Sequence, residues 1–219
     1  MNTTVITPSN YWVQRAKRHC VLALCAIAIA WVTYLAVPGS DTRHKLSMGT
    51  AYSGLVLLVV CLSTGPWKVL RGRPNPISFD FRRDIGIWAG ILAVVHTGIG
   101  LTVHLRGRMW MYFFRDLHPL KIQSTKFGLA NYLGLVAVLL FLGLLAISND
   151  FALRSLKSRK WKSLQRWTYA AAVLTVAHGV LFQSVESRKA PWLIAFWLLV
   201  AATLGFQAAG FFQTRKSRR

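Results

Sequence analysis

The chain has 219 residues, 54% of them hydrophobic and only 15% charged, with 27 Lys and Arg against 6 Asp and Glu for a net charge of +21. Its mean hydropathy is +0.40. Soluble domains carry about 25% charged residues, so this composition excludes a disordered chain or an ordinary water-soluble enzyme and places the apolar surface in a bilayer.

The positive charge lies between the apolar runs, where it serves as a topology signal and an anchor for anionic lipid head groups. No polar basic domain studded with aromatics is present to bind nucleic acid. Crossing the hydrocarbon core takes about 20 mostly apolar residues in a helix. In chain order, six stretches approach that length: 20–37, 48–67, 84–104, 127–147, 167–185 and 191–212. The sequence therefore predicts an all-α, polytopic membrane protein. Residues 20–213 form a six-helix transmembrane bundle, 1–19 a cytoplasmic N-terminal segment and 214–219 a basic cytoplasmic tail. The first run follows Arg15, Lys17 and Arg18 and precedes a small-residue stretch at 36–40. At about 18 residues it is long for the apolar part of a cleaved leader, so a retained first span is expected. Cys20, Cys25 and Cys61 form no CxxC or CxxCH pair and read as packing residues.

Alternate sides of such a bundle carry 18 and 9 Lys and Arg, the larger number on the side of the termini. Both termini are thus expected in the cytoplasm, in a bacterial inner membrane. The loop 106–126 is discordant, with five basic residues and the aromatic run Trp110, Tyr112, Phe113 and Phe114 on the outer side. It reads as a segment lying on the membrane surface, or as a docking site for an outer partner. There is no internal repeat and no glycine-rich nucleotide cradle, so the chain cannot by itself take hydride from a nicotinamide cofactor.

Ionisable residues inside a bilayer are costly and count as functional candidates. Of six histidines, only His96 and His178 fall well inside predicted spans. Both spans run in the same direction. At 1.5 Å per residue His96 lies about 18 Å beyond Asp84, and His178 about 16 Å beyond Trp167, so the two imidazoles share a depth. A facing pair of neutral imidazoles is what a six-coordinate b-type haem needs as axial ligands. The residue types leave two alternatives open: a hydrogen bond from each His to a neighbouring helix, or a magnesium pigment held by one imidazole. Gly98, Gly100 and Gly179 beside the histidines would let a flat macrocycle approach. His44, His104 and His118 lie toward the outer face, where a metal or quinone site is a further option.

The run Lys160-Trp161-Lys162-Ser163-Leu164-Gln165-Arg166-Trp167-Thr168-Tyr169, followed by an Ala-rich helix to His178, resembles the fifth-helix motif of the ferric reductase-like transmembrane family. That motif is W-x-x-L-H-R-x-x-Y with a second His thirteen residues after the first. Phe81-Arg82-Arg83-Asp84-Ile85-Gly86 leading to His96 resembles the start of that family's third helix. The resemblance covers about residues 45–185 and points, within the family, to the haem-binding membrane subunit that feeds a periplasmic methionine sulfoxide reductase. It implies a fold of six spans and axial ligation by His96 and His178. One departure stands out: Gln165 occupies the place of the first His, and Arg82 and Arg83 stand where its partner would be. A single haem b at the outer site is therefore expected, with Arg106 and Arg108 as partners for its propionates or as lipid anchors. The implied function is a membrane electron-transfer subunit between a membrane donor, quinol among the candidates, and an outer-side acceptor. The competing readings are a non-redox accessory or structural subunit that kept the fold, and a pigment-binding subunit of a larger complex.

Overall fold

The computed structural model describes residues 8–72 and 79–217. Residues 1–7 of the expected N-terminal segment, 73–78 of the loop after the second span and 218–219 of the basic tail lie outside these. Seven α-helices follow in order: α1 (Pro8–Ala36), α2 (Thr42–Arg71), α3 (Phe79–Gly100), α4 (Lys126–Ala146), α5 (Asp150–Gln165), α6 (Trp167–Val185) and α7 (Ala190–Lys216). Between α3 and α4, two 3₁₀ turns at Leu105–Gly107 and Met109–Tyr112 lead into an antiparallel hairpin, β1 (Phe114–Leu117) and β2 (Leu120–Ile122).

The helix ends are written locally. Asp41 caps α2 by accepting from Arg43 N at 2.9 Å, and Gly72, with φ +60°, closes it in the left-handed region. Thr125 caps α4 through Gly128 N at 3.3 Å. Five segments are long and apolar enough to cross a membrane: Tyr11–Ala36, Thr42–Arg71, Lys126–Ala146, the run Asp150–Val185 that contains α5 and α6, and Ala190–Lys216. The chain is an integral membrane protein. α3 is not among the five, because Arg83, Asp84 and His96 interrupt its apolar length. It packs along α2 and also meets α1 and α4. Large apolar side chains such as Leu24, Val32, Val173 and Leu204 are exposed and are free to face lipid.

The core draws Leu22 and Ala26 from α1, Leu57, Leu58 and Cys61 from α2, Ile85, Ala89 and Leu92 from α3, Phe141 and Leu144 from α4, and Ala171 from α6. Of the three cysteines only Cys61 is buried. At the end where α3 begins, here the basic end, Asp84 is fully buried and meets Arg15 Nε at 3.3 Å, Arg18 Nε at 3.2 Å and His19 Nε2 at 3.4 Å. Arg83 reaches Asp150 at 2.6 Å and Asp80 at 3.1 Å. These pairs tie α1, α3 and α5 together where an unpaired charge would be expensive.

One segment differs from the sequence expectation. The basic stretch after α4 reads as a loop in the sequence but forms α5. Asn149 caps it by accepting from Ala152 N at 2.7 Å, and buried Trp161 donates Nε1 to Ile147 O at 2.8 Å, holding the helix to the end of α4. The segment 106–126 is folded through its hairpin, and Tyr132 of α4 donates to Phe113 O to hold it. The buried Tyr112 donates to Gly100 O at 3.0 Å and accepts from His104 N at 2.8 Å, which satisfies backbone groups at the end of α3.

Candidate functional site

α3 and α6 bring His96 and His178 side by side, with ring centroids 6.2 Å apart and ring planes at 79°. Each imidazole is held through Nδ1. His96 Nδ1 lies 3.0 Å from Ser47 O on α2, and His178 Nδ1 lies 2.8 Å from Ala130 O on α4. A carbonyl only accepts, so Nδ1 carries the proton and Nε2 keeps its lone pair. No hydrogen bond among the described residues uses either Nε2. This is the arrangement of metal-binding histidines, in which the other ring nitrogen is tied to a carbonyl that fixes tautomer and orientation.

The spacing tests the haem expectation. Bonds of about 2 Å from a metal to each nitrogen, with each ring centre about 1 Å behind its nitrogen, put two centroids roughly 6 Å apart. The observed 6.2 Å between centroids matches that separation. The rings border a cavity of about 270 Å³ that reaches the hairpin end of the bundle. Leu55, Leu92, Phe141, Phe182 and Phe196 give it an apolar wall. Its mouth carries His44, His104, Glu186 and Arg188, with His104 Nε2 2.7 Å from Glu186 Oε1 and Arg188 Nη1 3.3 Å from His44 Nε2. The hydrogen bond from His104 holds the Glu186 carboxyl below its usual range, and burial pushes the Arg188 guanidinium below its own.

A second cavity of about 400 Å³ lies at the basic end of the same two helices. Arg82, Arg83, Gln165 and Arg166 line it, so the residues singled out by the thirteen-residue spacing border one cavity. Gln165 Nε2 lies 3.3 Å from Ser148 Oγ. Leu58, Ala89 and Phe141 line both cavities and form the wall between them.

The other residues singled out in the sequence fall differently. Arg106 and Arg108 are exposed and are absent from the cavity lining. Gly100 and Gly179 line the cavity, whereas a Cβ at Gly98 would meet nothing within 4 Å. His44 and His104 reach the mouth, while His118 sits on the exposed hairpin, and no group of three or more His, Cys, Asp or Glu among the described residues could hold a metal ion. Sequence reasoning passed over Gly134, where a Cβ would lie 2.7 Å from His178 Nδ1. It also passed over Arg188, and over the two carbonyls that set the tautomers. Carbonyls leave no trace in residue identity, but a glycine on α4 level with a buried His was a signal to be found.

No family model matches the chain. It is 31% identical over 169 residues to the protein-methionine-sulfoxide reductase heme-binding subunit MsrQ of Azospira oryzae, covering 77% of this chain and 67% of that protein. The protein of the same name from Xanthomonas oryzae pv. oryzae is 28% identical over 180 residues, covering 82% and 76%. That from Xanthomonas axonopodis pv. citri is 31% identical over 140 residues, and the match spans only 59% of its length.

Proposed function

The chain belongs to the MsrQ family of heme-binding subunits of protein-methionine-sulfoxide reductase, and from that footing we propose that it is a membrane electron carrier holding one b-type haem between His96 and His178. The observation that carries the reading is the pair of imidazoles 6.2 Å apart, each with Nδ1 engaged by a carbonyl and Nε2 without a partner among the described residues. When bound, haem supplies a reversible one-electron iron couple. The protein's part is ligation and environment. Ser47 O and Ala130 O keep Nε2 as the donor nitrogen of each ring. The apolar wall excludes water and disfavours the more highly charged oxidised state, which sets the potential upward.

Six spans, with α3 as the sixth, and both termini in the cytoplasm of a bacterial cell complete the reading. The 18-to-9 bias of Lys and Arg supports this orientation. The hairpin end then faces outward, and its exposed Leu117, Leu120 and Ile122 offer an apolar surface to an outer partner. That partner is the reductase whose subunits the relatives are, and the donor is a membrane quinol. One haem suffices for the reading because, among the described residues, no histidine lines the basic-end cavity. Residues 20–213 act as one membrane domain, with 1–19 and 214–219 as cytoplasmic ends.

A reduced-minus-oxidised spectrum of the detergent-purified chain tests this. A b-type α band with one haem per chain, lost in both His96→Ala and His178→Ala, is the expected result. A colourless wild-type protein would replace the carrier with the accessory-subunit reading, and a magnesium-tetrapyrrole spectrum would replace it with pigment binding.

A further inference from the structure

The mouth of the hairpin-end cavity holds a cation that makes no contact ion pair with a carboxylate among the described residues. Ser187, with φ +46°, turns the chain between α6 and α7, and Arg188 N donates to Gln183 O at 3.1 Å, setting the residue at the cavity's edge. Among the described residues lining this cavity, Arg188 is the one Lys or Arg. No ion pair among them joins it to a carboxylate, since Glu186, two residues earlier, is engaged by His104 at 2.7 Å. The nearby hydroxyl of Tyr52 is committed to Trp192 O at 2.8 Å. Of the five N–H donors a guanidinium offers, one is used on His44 Nε2 at 3.3 Å. That contact makes His44 an acceptor and steadies the guanidinium without neutralising it. A half-buried cation costs free energy unless an anion compensates it. The planar fork of arginine matches a carboxylate bidentately.

We propose that Arg188, steadied by His44, binds a carboxylate of the molecule that occupies this cavity; on the haem reading, on which this inference rests, that carboxylate is a propionate. Arg106 and Arg108, exposed and off the cavity, do not share the role. His104 belongs to the same mouth and holds Glu186 at 2.7 Å.

The test reconstitutes the stripped full-length chain in detergent with protohaem or with protohaem dimethyl ester, and follows release of each to an excess of a haem-scavenging apoprotein. Charge-assisted hydrogen bonds of this kind correspond to about a tenfold change or more in retention. The wild-type chain is expected to hold protohaem about tenfold longer than the ester, by that same equivalence. Arg188→Gln is expected to lose protohaem faster and to treat the two alike, and Arg188→Lys, which keeps the charge without the fork, to restore part of the preference. Arg106→Gln and Arg108→Gln are expected to leave it unchanged. Two outcomes would overturn the assignment while leaving the histidine pair intact: Arg188→Gln keeping the full preference, or wild-type chain holding ester and free acid equally. A wild-type chain that takes up neither form overturns the haem reading itself.

Discussion

α3 and α6 enclose two chambers, one at each end of the bundle, with Leu58, Ala89 and Phe141 as their common wall. The larger, at the basic end, is lined by Arg82, Arg83 and Gln165, and the smaller, at the hairpin end, by His96 and His178. The difference is in what the polar groups have left to offer. At the basic end Arg83 is taken up by Asp150 and Asp80 and a guanidinium has no lone pair to give a metal, while Gln165, which donates Nε2 to Ser148 Oγ, offers only an amide oxygen, a poorer ligand for haem iron than an imidazole nitrogen. At the hairpin end each imidazole spends Nδ1 on a carbonyl and keeps Nε2. Volume comes from the packing of the helices, whereas capacity to ligate comes from a few side chains with an unspent lone pair.

The sharpest way to break this contrast is to give the basic-end chamber imidazoles. Arg82→His combined with Gln165→His leaves the Arg83 ion pairs in place, and the haem-to-protein ratio is expected to rise from near one toward two, measured by pyridine haemochrome against protein concentration. A ratio that stays near one would mean that the chamber excludes the group for reasons of shape, and that missing donors are not the deciding difference.

A smaller effect sharpens the other side of the comparison. Ala at Gly134 would place a Cβ 2.7 Å from His178 Nδ1, forcing the ring away from Ala130 O. Overpacking of this kind costs about 1–3 kcal/mol. The expected reading for Gly134→Ala is a lower melting temperature together with a weakened α band. Gly98→Ala meets nothing within 4 Å and, by removing a glycine from a helix, is expected to be neutral or to stabilise by about 0.5–1 kcal/mol. Equal losses in the two variants would show that the site does not depend on the clearance beside His178.

The parts of this architecture that rest on periodicity and counting were legible in the sequence. Apolar length marked five of the six expected spans. Depth along two co-directional helices paired His96 with His178, and a separation of thirteen residues led to Gln165 and the Arg82–Arg83 pair, which border one chamber. What escaped depends on contacts between distant segments. Nothing local marks Ser47 or Ala130 as the carbonyls that fix the imidazoles. Arg188 reaches the cavity only because the α6–α7 turn lies against the start of α2. α5 was hidden by its density of basic residues, although Asn149-Asp150 before an apolar pair was a helix-start signal in plain view. The discordance of α3 is physical too. Arg83 and Asp84 lower its apolar character, and the structure answers by pairing both charges with residues from other helices, which a hydropathy profile does not register.

The smallest effect expected lies at the mouth of the hairpin-end cavity, in the Glu186 carboxyl. The Glu186 carboxyl is held below its usual range first by the hydrogen bond from His104 Nε2 and further by the charge of Arg188. A carboxyl whose folded pKa lies below its unfolded value contributes stability that is fully present above the unfolded value, about 4.3, and is lost as pH falls through the folded one. The window is therefore acidic, below about pH 4.5 by the same reference values. Because the pair is partly open to solvent, its contribution is under about 1 kcal/mol. Thermal unfolding of wild type and Glu186→Gln should differ at pH 6, with the wild type more stable, and the two curves should converge toward pH 3.5 in the sense that linkage requires, to within roughly that energy. A gap that persists unchanged into acid would mean that the carboxyl acts through packing alone, and that its charge adds nothing to the His104–Glu186 contact.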